Sequence, residues 1–246
     1  MPGLDPASML AIAAIWTLAC VVRGTVGFGD ALVGLPLMAL VLPPQPAIVA
    51  IGAVSTLLGL AVGLTNLREV DWRGAGALLA GGVLGVPLGI YGLTRLPTDA
   101  LRAALGVALL IAGGHGILGG RVQRTWADWR SAPGFGWLAG LLGGMLGTSG
   151  PPLVVWASGT GWSPPRIRST LQGFFVPMSL LTALGHLGAG LWDGLVVRVA
   201  LLAIPGIVIG TLVGNWLSPL IPAEGFRRAL YVILLGLGAV QFAALA

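Results

Sequence analysis

Charged residues fall along the chain in short clusters, and between the clusters run eight apolar stretches. The stretches cover approximately 8–42, 46–66, 73–93, 99–119, 133–160, 164–190, 194–216 and 224–246. A helix that spans a bilayer needs about 20 apolar residues. The pattern therefore predicts helices that cross or enter a membrane. The breaks carry Arg68, Glu69, Asp71 and Arg73, then Arg95, Asp99 and Arg102, then Arg121, Arg124, Asp128 and Arg130. Later breaks carry Arg166 and Arg168, Asp193 and Arg198, and Glu224, Arg227 and Arg228. Trp72, Trp126, Trp129, Trp162, Trp192 and Trp216 lie at or near them, as an interfacial aromatic belt requires.

Two stretches depart from a simple span. Residues 8–42 are too long for one crossing and are broken by R-G-T-V-G-F-G-D at 23–30. Residues 133–160 are broken by G-G-M-L-G-T-S-G-P-P at 143–152. Glycine permits turn conformations and proline starts helices. Each stretch reads as a helix, a short unwound piece and a second helix.

The two places correspond. A shift of 120 residues superposes Leu18 on Leu138, Gly24 on Gly144, Gly27 on Gly147 and Pro44 on Pro164. A shift of 125 matches Pro97 with Pro222, Arg102 with Arg227 and Leu105 with Leu230. The chain reads as a duplicated unit within one membrane domain: a first repeat at 8–119, a linker at 120–132 and a second repeat at 133–246. Weak internal symmetry with matched interrupted helices points to a transporter.

Arginine placement bears on the topology. Let each broken segment enter and leave on one side. Then Arg68, Arg73, Arg121, Arg124, Arg130, Arg166, Arg168, Arg227 and Arg228 share a side, against Arg95, Arg102 and Arg198. If only the second broken segment crosses fully, the two sides tie. The positive-inside bias favours the first arrangement. Each half then has one hairpin and three crossings. The predicted fold is an all-α polytopic protein of two inverted repeats, each with one glycine-broken segment, re-entrant or discontinuous, plus three transmembrane helices.

Composition agrees. Charged residues make up 9% of the 246, where soluble domains carry roughly a quarter. The net charge of +5 is all arginine, scattered singly and in pairs, with no basic face for nucleic acid. The N-terminus lacks the basic region of a cleaved signal peptide, so the first apolar stretch reads as retained. The lone Cys20 builds no disulfide, and the two histidines have no metal-site spacing. The expected location is the inner (plasma) membrane, with no cofactor or metal.

The chain resembles the sulfite exporter TauE/SafE family of membrane transporters. The resemblance rests on the G-F-G run of Gly27, Phe28 and Gly29, on G-G-M-L-G-T-S-G-P-P at 143–152, and on the duplication of about 120 residues. It covers nearly the whole chain. It implies movement of a small anion, sulfur-containing or organic, across the cytoplasmic membrane.

The residues at the breaks suit an anion. Helix N-termini carry unpaired N–H groups and partial positive charge. Glycines let the backbone approach a ligand, and Gly147, Thr148, Ser149 and Gly150 combine such backbone with two hydroxyls. Gly150, Pro151 and Pro152 would open the second half-helix. Arg23 is a costly intramembrane charge, hence a candidate substrate contact. The alternative is a structural pair with Asp30. Asp30 is also a candidate to cap the second half-helix or carry a coupling proton. Gln172 is a further candidate contact, and His186 a candidate for coupling or for packing. Proton or sodium is the expected coupling ion. The expected mechanism is alternating access around a central anion site. Rival readings are an anion channel and an intramembrane serine protease using Ser149 and His186.

Overall fold

The computed structural model describes residues 4–26, 29–63, 69–117, 127–217 and 223–243. Among them every regular element is an α-helix: α1 (Pro6–Val26), α2 (Asp30–Val41), α3 (Pro44–Gly63), α4 (Trp72–Arg95), α5 (Thr98–Ile117), α6 (Ala132–Leu146), α7 (Gly150–Gly159), α8 (Pro164–Gly188), α9 (Gly194–Leu201), α10 (Ala203–Leu217) and α11 (Ala223–Ala243). Four stretches within them are long and apolar enough to cross a membrane unaided: Pro6–Thr25, Trp72–Arg95, Thr98–Ile117 and Gly194–Leu217. The stretch expected to run unbroken over 194–216 is interrupted at Leu202 between α9 and α10. Pro205 lacks an N–H, so the Leu201 carbonyl loses its helical donor there.

The chain divides into two compact units, each drawing on both halves. One holds Met1–Ile51, Thr98–Leu118 and Trp192–Ala246; the other holds Gly52–Pro97 and Gly119–Leu191. The first unit therefore contains α1, α2, α5, α9, α10 and α11, and the second contains α4, α6, α7 and α8.

In the second unit, α4 and α6 meet along a glycine seam. Gly81, Gly85 and Gly89 of α4 lie against the Pro133, Trp137 and Leu141 carbonyls. Reciprocally, Gly136, Gly140 and Gly144 of α6 lie against the Leu78, Gly82 and Val86 carbonyls. Every step is four residues on both helices, so the two run parallel. Within lipid, helices gain little from hydrophobic association, and small residues at this spacing let backbones pack closely.

The first unit contains a related seam. Gly206, Gly210 and Gly214 of α10 face Thr17, Val21 and Gly24 of α1, again in parallel. A shift of 125 carries Gly81, Gly85 and Gly89 onto Gly206, Gly210 and Gly214. A shift of 120 carries Gly144 onto Gly24. In both units a helix of one sequence half packs on the broken segment of the other half. Trp16 and Cys20 stand where the second unit has Gly136 and Gly140. Trp16 is buried, and its indole N–H donates to the Val199 carbonyl at 2.9 Å.

On α4, α5 and α10 many large apolar side chains point outward. Leu84, Leu88, Ile111, Leu212 and Trp216 are all more than half exposed, while the buried faces of α4 and α10 are largely glycine. That inversion of the soluble pattern suits a lipid surround.

Both broken segments double back. Trp156 of α7 donates its indole N–H to the Asp128 carbonyl, at 3.2 Å. Twenty-eight residues of continuous helix would separate them by about 42 Å. The chain therefore turns between α6 and α7, and Ala132, Ala139, Leu153, Trp156 and Ala157 share one core. The ends agree. Arg73 at the start of α4 stacks on Trp129 just before α6. Asp71 pairs at 2.6 Å with Arg166 in the first turn of α8. The chain thus enters α6 and leaves α7 at the same end of this unit. In the first unit Gly34 of α2 packs on Ala19 of α1, and Val22 packs on Val33.

Candidate functional site

The first break begins later than expected. Arg23 is not unwound; it lies in the last turn of α1, which runs on to Val26. Gly27 and Phe28 lie outside the described residues. Gly29 caps α2 with φ 100, a left-handed backbone that suits a residue without Cβ. Asp30 is the first residue of α2. Residues seven apart on one helix would be about 10 Å apart along its axis. Across this break Arg23 Nη1 donates to Asp30 Oδ1 at 2.9 Å, so the two form the pair weighed above. Both are 5% exposed. The Nε and Nη2 donors of Arg23 are buried and have no hydrogen-bond partner among the described residues. They form one edge of the guanidinium plane, the fork that grips two oxygens of an oxyanion. A buried donor left unmade costs about 1–3 kcal/mol, and two of them on one edge point to a missing acceptor.

The second break lies at 147–149. Gly147 ends α6 with φ 66, its N–H on the Gly143 carbonyl at 3.0 Å. Ser149 precedes α7, and its hydroxyl occupies the space a side chain at Gly143 would need. Thr148 is buried. Gly150, Pro151 and Pro152 open α7 as expected. The two prolines remove two of the N–H groups this terminus would otherwise offer, so its donors are fewer than those of α2.

His186 is fully buried, with Nε2 on the Gly144 carbonyl at 3.0 Å. That acceptor assigns the neutral ring's proton to Nε2. Nδ1 then faces the backbone of Gly52 with no hydrogen-bond partner among the described residues. Sequence reasoning missed this contact because it joins a side chain to a backbone oxygen 42 residues away. Gln172 is buried on α8 two residues beyond Thr170, whose hydroxyl accepts from the Asp71 N–H. It precedes His186 by about 21 Å along the helix. His186 lies at the level of the second break. The serine protease reading fails on geometry. His186 spends Nε2 on Gly144 and gives no hydrogen bond from Nδ1, so it provides no base for Ser149. Among the described residues no acid or histidine cluster could hold a metal.

Helices that pack through glycine and expose leucine suit a multi-pass helical membrane protein, and interrupted helices are features of carriers. Residues 12–240 match the family described as Sulfite exporter TauE/SafE, and the chain belongs to that family. It is 31% identical over 206 residues to the probable sulfite/organosulfonate exporter TauE of Cupriavidus necator, covering 80% of this chain and 79% of that one. It is 29% identical over 175 residues to the probable inner membrane transporter protein TsaS of Comamonas testosteroni, covering 70% and 73%. No solved structure matches the chain. The protein is a multi-pass transporter of the inner membrane and not an enzyme.

Proposed function

We propose that the chain is a secondary transporter that moves a small anion across the cytoplasmic membrane by alternating access. The anion is a sulfur-containing oxyanion, a sulfonate or an organic acid. The observation that carries this reading is the buried Arg23 edge, two donors with no acceptor among the described residues beside the first break. The sulfite and organosulfonate named for the Cupriavidus necator relative carry the oxygens such an edge takes. The residues expected from the sequence to meet the anion are Arg23, Gly27, Phe28 and Gly29 in the first half, and Gly147, Thr148, Ser149, Gly150 and Gln172 in the second, with Asp30 and His186 as candidates for coupling.

Flux into proteoliposomes tests the reading. Sulfite, thiosulfate, sulfoacetate and acetate are offered against an imposed gradient. A carrier gives saturable uptake of at least one anion, accelerated by the same anion inside. Uptake that stays linear with concentration and shows no acceleration identifies a channel instead.

The same reading makes the two halves inverted repeats, with α1–α2 and α6–α7 as re-entrant hairpins. Three features support it: the return of α7 to the starting end of α6, the parallel seams in both units, and the arginine bias. A tag at residue 125 and a tag at the C-terminus are expected on opposite membrane faces. Labelling of both from one face would sink this topology.

A further inference from the structure

We propose that Arg23 and Asp30 form an exchange element that binds one anion together with one proton. The inference rests on the transport reading and adds the coupling ion and its carrier.

Arg23 and Asp30 are each 5% exposed, and their pair at 2.9 Å sums to zero. Charge buried without compensation is strongly unfavourable. A monovalent oxyanion on the Nε and Nη2 edge leaves the site one negative charge in excess. A proton on Asp30 restores neutrality. The step balances: the anion's two oxygens accept from Nε and Nη2, and water on the entry side supplies a proton to the Asp30 carboxylate. Release reverses both on the far side. The anion neither gains nor loses electrons, and no covalent bond other than the O–H forms.

The neighbourhood offers few other carriers. Cys20, one turn before Arg23, is close enough to interact with both charges. The segment Ala203–Leu217 of α10 contains no ionisable residue. On α9, Arg198 is exposed. On α5, Asp99 is exposed in the first turn and His115 lies in the last, with Arg102 between them. Tyr231 is the ionisable group in the described side chains of α11. Of the carboxylates on these helices, Asp30 is the one bonded to the guanidinium that takes the anion.

The test uses the full chain in proteoliposomes that enclose a pH-sensitive dye. The probes are methanesulfonate and isethionate, monoanions without a titrating proton near neutrality, with sulfite alongside. Each sulfonate taken up is expected to bring one proton into the lumen. Uptake with no lumenal acidification overturns the proposal. Asp30→Asn is expected to lower the ratio of pH-driven uptake to anion-for-anion exchange by about tenfold. An unchanged ratio removes Asp30 as the proton carrier. Arg23→Gln is expected to lower both fluxes together, to about one hundredth. Flux near the wild-type level removes Arg23 from the anion site. If a variant does not fold, the wild-type proton count decides alone. Sulfite movement without either sulfonate also overturns the proposal, since the edge reads oxygens common to all three. Absence of flux for all three anions defeats the transport reading instead.

Discussion

Gly136→Ala should markedly lower the protein's thermal stability, while Gly134→Ala, two residues away on the same helix, should be harmless. A Cβ at Gly136 would lie 2.7 Å from the Leu78 carbonyl carbon and 2.8 Å from its Cα. Both are backbone atoms of α4 and cannot rotate away. The seam must open, and it opens along its whole length, because Gly81, Gly85, Gly140 and Gly144 approach facing backbone in the same way. The expected cost is about 3 kcal/mol or more, the upper range of overpacking. At position 134 a Cβ meets nothing within 4 Å. Alanine there gains about 0.5–1 kcal/mol from the reduced freedom of the unfolded chain. Thermal unfolding in detergent separates the pair. Gly136→Ala should fall by roughly 10 °C, with Gly134→Ala level or slightly higher. A Gly136→Ala protein that unfolds at the wild-type temperature would show that the seam does not hold α4 to α6.

The seams also mark the limit of what the residue pattern discloses. The helices follow from apolar runs bounded by arginine and proline, and both breaks lie inside the stretches expected to be broken. Four-residue glycine spacings are visible at 81, 85 and 89 and at 206, 210 and 214. With 41 glycines in the chain such spacings are too common to single out. Their meaning depends on which helix comes alongside, and that partner belongs to the other half of the sequence. Composition cannot specify a pairing between segments so far apart. The same gap affects the candidate site. Arg23 and Asp30 are close in sequence, so their pairing was readable as one of two options. The placement of His186 on the Gly144 carbonyl was not, since it depends on how α8 packs against α6. Pro151 and Pro152 were readable as helix starters. Their cost in lost N–H donors is equally elementary, and it makes the two breaks chemically unequal. The first carries a guanidinium and a helix terminus with its N–H groups intact; the second carries hydroxyls and a terminus depleted of donors.

That inequality shapes the second large effect. Gly147→Val should abolish most transport without unfolding the protein, and Gly147→Asn should preserve it. Gly147 adopts φ 66 and ψ 8, and its N–H closes the last turn of α6 on the Gly143 carbonyl. Valine is a poor occupant of left-handed backbone, at a cost of about 1–2 kcal/mol. Asparagine enters that region far more readily and often ends helices there. Of the seam glycines, Gly136 and Gly140 lie on earlier turns of α6 and Gly144 precedes Gly147 by three residues, so valine's strain should be relieved chiefly on the far side, by shifting Thr148 and Ser149. Those are the groups proposed to meet the anion at this break. A shift of about 1 Å in a binding group is enough to cost roughly a hundredfold in rate. Anion flux in proteoliposomes, normalised to folded protein, should therefore fall at least about tenfold for valine and stay within about threefold for asparagine. Melting temperatures of both variants should stay within about 5 °C of wild type. Equal flux from the two variants would mean that the left-handed turn at 147 only joins two helices and does not position the groups that follow it.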